Sequence, residues 1–263
     1  MYYLLPLRKS TVMRNIRQVF DGGLRAPEMR RIAQAFYGHV IESVVENLTM
    51  RASAEALLKR RVRVEGWEHV LEASRLKRGV LILTGHFGNW ELTPIAALHH
   101  FKQYRRRFYF IRTTLISETI EKLVFRRFEE AGLGVITKKD AVDRALEALS
   151  KNAAVVMILD QHASTRSRRG IDVEFFGRKA STYRSLALLA GHTGAPVIPA
   201  TSWRERDGRH VVRFCAPLPW IRCDHAEREI YENTLQYNRV LEGFVLDHPE
   251  QWNWFHRRWR FKD

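Results

Sequence analysis

Short apolar runs alternate along this sequence with segments whose apolar residues have helical spacing, and this alternation restricts the fold more than any other feature. Runs at residues 80–83, 108–112 and 153–159 have the length and composition of buried strands. Strands that alternate with helices predict an α/β protein, with a layered, mixed, largely parallel sheet flanked by helices. The chemistry of such a sheet is expected at its strand ends.

The same patterns predict the remaining elements. Strands are expected at residues 62–66, 133–136, 173–176, 197–204 and 210–215, the last two joined by a turn at Asp207-Gly208. Helices are expected at residues 67–76, 90–99, 117–131, 140–150, 183–192 and 227–246. Because no repeat, low-complexity segment or linker divides the chain, residues 1–263 are expected to form a single domain.

Residues 1–60 are predicted to be a helical segment packed on that domain. Apolar residues recur there at intervals of one, three and four, which places them on one helix face: Ile32, Ala33, Phe36, Val40, Val44 and Leu48. Packing is the expected use of this face, and contact of part of it with lipid is the alternative. The opening residues 1–9, apolar and then basic, fit either a docked terminus or the remainder of a membrane anchor.

The chain is strongly basic. Its 44 Lys and Arg residues against 29 Asp and Glu residues give a formal charge of +15, which attracts nucleic acid, anionic lipid headgroups or acidic carrier proteins. The two cysteines lack the spacing of a disulfide framework or a zinc site, so a reducing cytoplasmic compartment is expected. No run approaches the roughly 20 apolar residues that span a bilayer.

A polar turn follows the apolar run 80–83. Glycine at position 85 lets the backbone turn at the strand end, and the turn presents His86 and Glu91 five positions apart. Neutral histidine is a competent general base near pH 7. His86 is therefore predicted to be a base, and Glu91 is predicted to be the carboxylate that orients it.

Five motifs in order extend this observation. They are His86-Phe87-Gly88-Asn89-Trp90-Glu91, Tyr109-Phe110-Ile111-Arg112, Asp160-Gln161, Glu174-Phe175-Phe176-Gly177 and Pro249-Glu250-Gln251-Trp252-Asn253-Trp254-Phe255-His256-Arg257-Arg258-Trp259. Together they resemble the bacterial lipid A biosynthesis acyltransferases, which include the lauroyl and myristoyl transferases. They also resemble, more distantly, mycobacterial mannoside acyltransferases and glycerol-phosphate acyltransferases. The resemblance covers nearly the whole chain.

The resemblance implies an O-acyltransferase of lipopolysaccharide biosynthesis. It implies transfer of a fatty acyl group from an acyl carrier protein or coenzyme A thioester to a hydroxyl of a lipid A precursor, with another glycolipid or an aminolipid as alternative acceptors. The implied enzyme needs no cofactor or metal. It would work on the cytoplasmic face of the inner membrane, as a peripheral or N-terminally anchored protein.

The implied mechanism assigns roles to the turn. His86 removes the proton from the acceptor hydroxyl, Glu91 stabilises the imidazolium, and the hydroxyl attacks the thioester directly. The oxyanion that forms needs hydrogen-bond donors fixed in advance. Arg112 and the backbone amides around Gly88 are the candidates.

Three further residues are candidates for contact with substrate. Asn89 either contacts substrate or caps the next helix. Asp160 and Gln161 follow a predicted strand, at an end where a site opens. Family members often have Asp or Asn next, whereas this chain has His162; contact with the acceptor and capping of the loop by Asp160 both stay open. The Phe pair at 175–176 is expected to fill the core or to line an acyl-chain channel.

Basic and aromatic residues are candidate contacts for lipid headgroups. They are Arg166, Arg168 and Arg169 in one predicted loop, and Trp254, Arg257 and Arg258 in the C-terminal tail. Arginines near an anionic bilayer favour binding to it, with docking of acyl carrier protein as the rival use. Indoles mixed with arginines suit a membrane interface or, alternatively, a packed C-terminal segment.

Two other classes of protein stay in view. The +15 charge and the aromatic tail also suit a nucleic-acid-binding protein, but no helix-turn-helix or RNA-binding aromatic signature accompanies them. A family member without catalysis would hold lipid or tether partners, and the intact His86 and Glu91 speak against it. Neither a P-loop nor Gly-x-Gly-x-x-Gly occurs, so a thioester rather than ATP is the expected energy source.

Overall fold

The computed structural model describes residues 7–49, 61–98, 101, 104–112, 126, 128–137, 140–164 and 169–260. Its helices are α1 (Lys9–Phe20), α2 (Ala26–Thr49), α3 (Trp67–Ser74), α4 (Leu92–Leu98), α5 (Ala141–Ser150), α6 (Ser185–Thr193) and α7 (Ala226–Asp247). Its strands are β1 (Val62–Glu65), β2 (Val80–Thr84), β3 (Phe108–Arg112), β4 (Gly134–Thr137), β5 (Ala154–Ile158), β6 (Gly170–Phe175), β7 (Arg178–Tyr183), β8 (Val197–Arg204) and β9 (His210–Phe214). A 3₁₀ turn, Pro249–Gln251, follows α7. The predicted helix at 117–131 falls largely outside the described residues, although residues 128–131 are helical.

Seven strands form one sheet in the order β1-β9-β8-β2-β5-β3-β4. The five strands from β8 to β4 in this order are parallel, β9 is antiparallel to β8, and β1 runs parallel to β9. The predicted mixed, largely parallel sheet is confirmed. Because β2 and β5 are neighbours and run in the same direction, the turns that follow them lie side by side at one sheet edge.

Alternate side chains of the central strands face two different cores. Leu81 and Leu83 point into a core shared with α1, α2, α5, α6 and α7. Val80 and Ile82 point to the opposite face, where α3 and α4 cover the sheet. Both faces of a parallel sheet are buried in this way, which explains why its strands are apolar throughout.

Helix α2 divides the predicted apolar face into two parts. Ala33 and Phe36 are buried in the core, which confirms packing for the first half. In the second half Val44 and Leu48 are 53% and 68% exposed, so packing is the wrong prediction there. None of the helices within the described ranges is both long and apolar enough to cross a bilayer.

The second sheet is a hairpin that was predicted only in part. β6 and β7 pair antiparallel, with Phe175 opposite Arg178. The prediction began a helix at residue 183, whereas residues 178–183 form β7 and the helix begins at Ser185. The turn residues Phe176 and Gly177 have φ angles of 51° and 65°. This two-residue turn lacks an Asn-Gly or Asp-Gly signal, which is why the second strand was missed.

Candidate active site

Two glycines shape the turn that follows β2. A Cβ atom on Gly85 would lie 3.1 Å from the carboxyl carbon of Asp160. Gly88 has a φ of +56°, and a Cβ atom there would lie 2.7 Å from the carbonyl oxygen of Ser202. The first glycine permits close approach of Asp160, and the second permits a left-handed backbone against β8.

His86 is hydrogen-bonded to Asp160, which follows the neighbouring strand. The imidazole Nδ1 lies 2.9 Å from Asp160 Oδ1, and the His86 amide donates to Oδ2 at 2.7 Å. The Trp252 indole N–H also donates to Oδ2, at 3.0 Å. Asp160 is only 3% exposed, so these donors replace the water that an ionised carboxylate requires.

The sheet register brings the pair together. Thr84 is the partner of Ile158 in the parallel pairing of β2 and β5. Two residues beyond each strand end, His86 and Asp160 therefore leave the sheet side by side. The prediction that Asp160 and Gln161 lie where a site opens agrees with this geometry.

The hydrogen-bond partners assign the tautomer of His86. A carboxylate only accepts, so Nδ1 carries the proton and Nε2 is an acceptor. The side-chain amide nitrogen of Gln161 lies 3.3 Å from Nε2, which fits an amide that donates to it. Nε2 is thus an unprotonated base, and both His86 and Gln161 line the same cavity.

Asp160 is ionised despite its burial. Burial raises its pKa, but the charge of His86 and the hydrogen bonds from the His86 ring, the His86 amide and Trp252 outweigh burial and lower the pKa to about 2. An ionised carboxylate on Nδ1 stabilises the imidazolium that forms when Nε2 takes a proton. The pair therefore has the electrostatics of a general base and its orienting group.

Asp160 occupies the position that the sequence prediction gave to Glu91. Glu91 lies half-buried in the turn before α4 and lines the same cavity as His86. The prediction relied on proximity along the chain, whereas the sheet register supplies the carboxylate on Nδ1 from the next strand. Asp160, not Glu91, is the carboxylate that is bonded to Nδ1 of His86. Participation of Glu91 in the reaction stays a prediction.

Gly88 and Asn89 hold the turn in place. The Gly88 amide donates to the Gln251 carbonyl oxygen at 2.9 Å, so it is already used and does not suit the predicted oxyanion role. The buried Asn89 side chain accepts from the Leu92 amide at 3.2 Å and donates to Glu46 at 2.8 Å. Of the two interpretations of Asn89, helix capping is the one with a contact in the structure.

A polar cluster behind this turn, mostly shielded from solvent but exposed at Glu42, was missed by sequence reasoning. Arg204, at the end of β8, donates from Nε and Nη2 to Glu46 at 3.0 and 2.7 Å and from Nη1 to Glu42 at 2.6 Å. Both glutamates lie on α2. We call the following residues the Arg204 cluster: Arg204, Glu42, Glu46, His39 and His210.

The Arg204 cluster is connected directly to the turn. Glu46 accepts from His210 at 3.1 Å as well as from Asn89. His39 Nε2 lies 3.2 Å from the Gly88 carbonyl oxygen. Residues from α2, β8 and β9 therefore fix the backbone that follows His86, and their separation in sequence leaves no local signal.

Trp254 and Arg258 of the C-terminal segment are buried, which corrects the prediction of headgroup contact for these two residues. Both side chains have 0% exposure. The Trp254 ring packs against Phe20 on α1. The Asn15 side chain, also on α1, donates to the carbonyl oxygens of Trp254 and His256. The segment is therefore part of the core, as the alternative interpretation proposed.

The other predicted contact residues occupy different surroundings. Arg169 is exposed and borders the cavity, and Arg257 is exposed. Arg166 and Arg168 lie outside the described residues. Arg112 ends β3, which pairs with β5, so its backbone reaches the same sheet edge as Asp160.

A cavity of about 710 Å³ opens beside His86. Part of its wall is apolar and aromatic, and includes Trp67, Ala97, Phe101, Phe108, Phe110 and Phe128. Another part is polar, and includes Gln161, Arg169, Tyr183 and Arg184. Such a wall suits a ligand with a hydrocarbon chain and a polar end.

The structure thus holds a histidine against a buried aspartate at the edge of a parallel sheet, beside a cavity with an apolar wall. Such a pair can serve as a general base in an α/β enzyme. Residues 2–261 match the family model of the bacterial lipid A biosynthesis acyltransferases. The chain belongs to this family, which confirms the predicted resemblance.

Curated relatives from two groups of bacteria are similar to the chain. A phosphatidylinositol mannoside acyltransferase of Mycobacterium tuberculosis is 23% identical over 203 residues, which cover 74% of this chain and 59% of the relative. The corresponding protein of Mycolicibacterium smegmatis is 24% identical over 149 residues, 54% of this chain and 45% of the relative. The lipid A biosynthesis lauroyltransferase of Escherichia coli is 24% identical over 197 residues, 75% of this chain and 61% of the relative. The matches thus span between 45% and 61% of the relatives' own lengths.

Proposed function

We propose that this protein is an O-acyltransferase that moves a fatty acyl chain from a thioester to a hydroxyl of a membrane glycolipid. The observation that carries the proposal is the His86–Asp160 pair, in which the unprotonated Nε2 of His86 lies beside a cavity with an apolar wall. Family membership supports acyl transfer as the chemistry.

The reaction follows from this geometry. His86 Nε2 takes the proton of the acceptor hydroxyl as the oxygen attacks the thioester carbonyl carbon, and Asp160 stabilises the imidazolium. The tetrahedral intermediate then breaks its C–S bond and leaves the ester. His86 returns the proton to the departing thiolate, so the products are an ester and a free thiol.

The charge on the carbonyl oxygen requires donors. The Gln161 amide is placed beside Nε2 at 3.3 Å, and Arg112 ends its strand at the same sheet edge. We assign the oxyanion to these two groups, since the Gly88 amide is bonded elsewhere. Each such donor is typically worth about 10²–10³ in rate.

The substrates are inferred from chemistry and from relatives. The apolar wall, with its several phenylalanines, would hold the acyl chain. An acyl carrier protein or coenzyme A thioester is the proposed donor. The relatives' names point to a lipid A precursor or a phosphatidylinositol mannoside as acceptor, with the lipid A precursor preferred because of the family model.

Attachment to an anionic membrane surface is part of the proposal. Four apolar side chains on one face of α2, at positions 41, 44, 45 and 48, are between 41% and 68% exposed. Together with exposed Arg169 and Arg257 and a net charge of +15, they suit the cytoplasmic face of the inner membrane.

Vesicle flotation tests this attachment. The Val44→Ser/Leu48→Ser double variant is expected to bind anionic vesicles about tenfold more weakly than the parent, because apolar area is lost. A matched control is Leu76→Ser/Leu246→Ser, which removes exposed apolar side chains elsewhere. Equal binding of the two double variants would assign no special role to α2.

Acyl transfer is tested directly with purified protein. Lauroyl thioesters of acyl carrier protein and of coenzyme A are incubated with a lipid A precursor or a phosphatidylinositol mannoside, and products are identified by mass spectrometry. His86→Gln and Asp160→Asn are each expected to lower the rate at least about 10²-fold. Arg112→Gln and Glu91→Gln are expected to lower it with the fold intact.

Matched controls use the same substitutions at exposed positions. His192→Gln on α6 and Asp207→Asn in the β8–β9 turn are expected to transfer at the parent's rate. If His86→Gln and Asp160→Asn also transfer at that rate, the mechanism is wrong. If the parent forms no acylated lipid with either donor, the acceptor class is wrong.

A further inference from the structure

Arg258 is a fully buried arginine whose partners are all neutral. Its guanidinium donates to the Ser181 carbonyl oxygen at 2.7 Å, to Thr182 Oγ1 at 2.6 Å and to Asn238 Oδ1 at 3.3 Å. It also lies over the ring of Phe175, 4.8 Å from the centroid. Among the described residues no carboxylate forms an ion pair with it, and its Nε is buried without a hydrogen-bond partner.

The charge of Arg258 persists in this site. Burial lowers its pKa to about 10, and the nearby carboxylate of Asp160 opposes that decrease. The guanidinium is therefore charged at neutral pH. Neutral acceptors orient it without cancelling its charge, so its field extends to other buried groups, where screening by water is weak.

Asp160 is connected to Arg258 along the chain. Arg258 Nη1 lies 3.4 Å from the carbonyl oxygen of Gln161, the residue that follows Asp160. The chain past β5 thus carries the carboxylate that bonds His86 and, one residue later, a carbonyl that faces Arg258. An ionised aspartate on Nδ1 favours the imidazolium form of a histidine, and a cation near that aspartate opposes it.

We propose that Arg258 is a positioning residue that acts on His86 through Asp160. Its uncompensated charge offsets the carboxylate, so that Nε2 of His86 is unprotonated and ready to accept a proton. The catalytic meaning of this inference rests on the proposed function. The electrostatic coupling itself does not, because it concerns only the protein.

Other titratable groups face the same region. His256 precedes Arg258 in the C-terminal segment, and burial lowers its pKa to about 4. Burial also lowers the pKa of His162, with the charges of Arg260 and Arg258 acting in the same direction and Asp172 against it. Both imidazoles are thus neutral near pH 7. The carboxylates that line the cavity with His86 are those of Glu91, Asp140 and Asp143.

Titration of His86 by NMR, with histidine side chains labelled in the full chain, tests the coupling without a substrate. His86→Gln assigns the resonance by its loss. Arg258→Gln removes the charge, and the pKa of His86 is expected to rise by about one unit. Asn238→Asp places a carboxylate at a position now 3.3 Å from the guanidinium, and a smaller rise is expected.

Two controls separate charge from packing. Arg258→Lys keeps the charge and changes the hydrogen bonds, while Thr182→Val removes a bonded hydroxyl and keeps the charge. Both are expected to leave the pKa of His86 within about 0.3 units of the parent, which is small beside the one-unit rise. If Arg258→Gln does not fold, Asn238→Asp decides the matter.

An unchanged His86 pKa in the variants that remove or neutralise the charge would overturn the inference. A rise of the same size in Thr182→Val would also overturn it, since packing would then explain the effect. In transfer assays the acid limb of kcat/KM is expected to move with the His86 pKa. A parent without transfer activity would contradict the proposed function and leave the titration result standing.

Discussion

Two arginines with little exposed surface flank the His86 turn, and they are bonded in opposite ways. Arg204 donates to two glutamates of α2, at 2.6 and 2.7 Å from its Nη atoms. Arg258 donates to carbonyl, hydroxyl and amide oxygens. The charge of Arg204 is neutralised by two adjacent carboxylates, and these ion pairs join α2 to β8. The second charge is held but not cancelled, so it acts on its surroundings.

The difference teaches that burial alone does not tell what an arginine does. Removing one partner of a buried ion pair destabilises the fold, because the other charge is left unpaired. A buried arginine that is bonded only to neutral acceptors keeps its field and shifts the pKa values of neighbouring groups. On this view the Arg204 cluster is primarily structural, and the Arg258 site is primarily electrostatic. Three predictions test that division.

The largest expected effect is on stability at the Arg204 cluster. Arg204→Met leaves Glu46, whose side chain is only 15% exposed, without this cation, and a loss of about 3–5 kcal/mol in the free energy of unfolding is expected. The double variant Arg204→Met/Glu46→Gln is expected to recover about 2 kcal/mol or more of that loss, because the only carboxylate that then lacks its arginine in this cluster is that of the exposed Glu42. Urea denaturation followed by circular dichroism measures both.

Arg213→Met is the matched control for this prediction. Arg213 pairs with Glu65 at 2.8 Å on the surface, with 47% of its side chain exposed. A change below about 1 kcal/mol is expected there. A loss at Arg204 no greater than at Arg213 would show that the cluster does not stabilise the fold.

The next effect is a decrease in turnover, and it concerns Trp252, which donates to Asp160. Trp252→Phe removes the indole donor at 3.0 Å from Asp160, and a decrease of about tenfold in kcat is expected, which corresponds to about 1.4 kcal/mol. Trp254→Phe is the control, because its indole donates to the Pro249 carbonyl oxygen instead. The two variants are expected to lose similar stability, and only the first is expected to lose activity.

Equal kcat values for the two tryptophan variants would contradict a role of the Trp252 hydrogen bond in turnover. They would mean that the indole contributes packing only, and that the hydrogen bonds from His86 suffice to orient Asp160. Steady-state kinetics with melting temperatures for both variants separates these outcomes.

The smallest effect at neutral pH, where it is close to zero, is a pH dependence of stability that involves a histidine on each side of the turn. Burial, followed by the charge of Arg204, lowers the pKa of His39 from 6.5 to about 4, and burial lowers the pKa of His256 to about 4. Between these values the unfolded chain binds protons that the folded chain does not. Stability is therefore complete above about pH 6.5 and falls as the pH decreases toward 4, by up to about 1 kcal/mol per pH unit for each histidine.

His39→Gln and His256→Gln test this dependence. Each is expected to flatten the fall in unfolding free energy between pH 6.5 and 4, measured by urea denaturation at several pH values. A slope that stays as steep in the double variant as in the parent would assign the acid sensitivity to other groups.

The fold was predictable to the extent that its signals are local. Sequence patterns predicted the strands of the seven-stranded sheet but missed β7, and polar residues directly after β2 and β5 located His86 and Asp160. The sequence of neither strand reveals that β2 pairs with β5. The orienting carboxylate was therefore predicted to be Glu91, whereas the register places Asp160 beside His86. The bond between Arg204 and Glu46 joins residues 158 positions apart, and no spacing rule reaches that far. Burial of Trp254 and Arg258 was missed for a similar reason, because a run of indoles and arginines has the same composition on a surface and in a core.

The placement of Trp252 has a consequence for biosynthesis. Its indole completes the hydrogen bonds of Asp160, and its strand-like bridge to Phe87 lies against the His86 turn. When β2, β5 and α7 have been synthesised, the Trp252 indole, which donates to Asp160, has not yet been made. The surroundings of Asp160 are therefore completed only when the C-terminal segment has left the ribosome, late in synthesis.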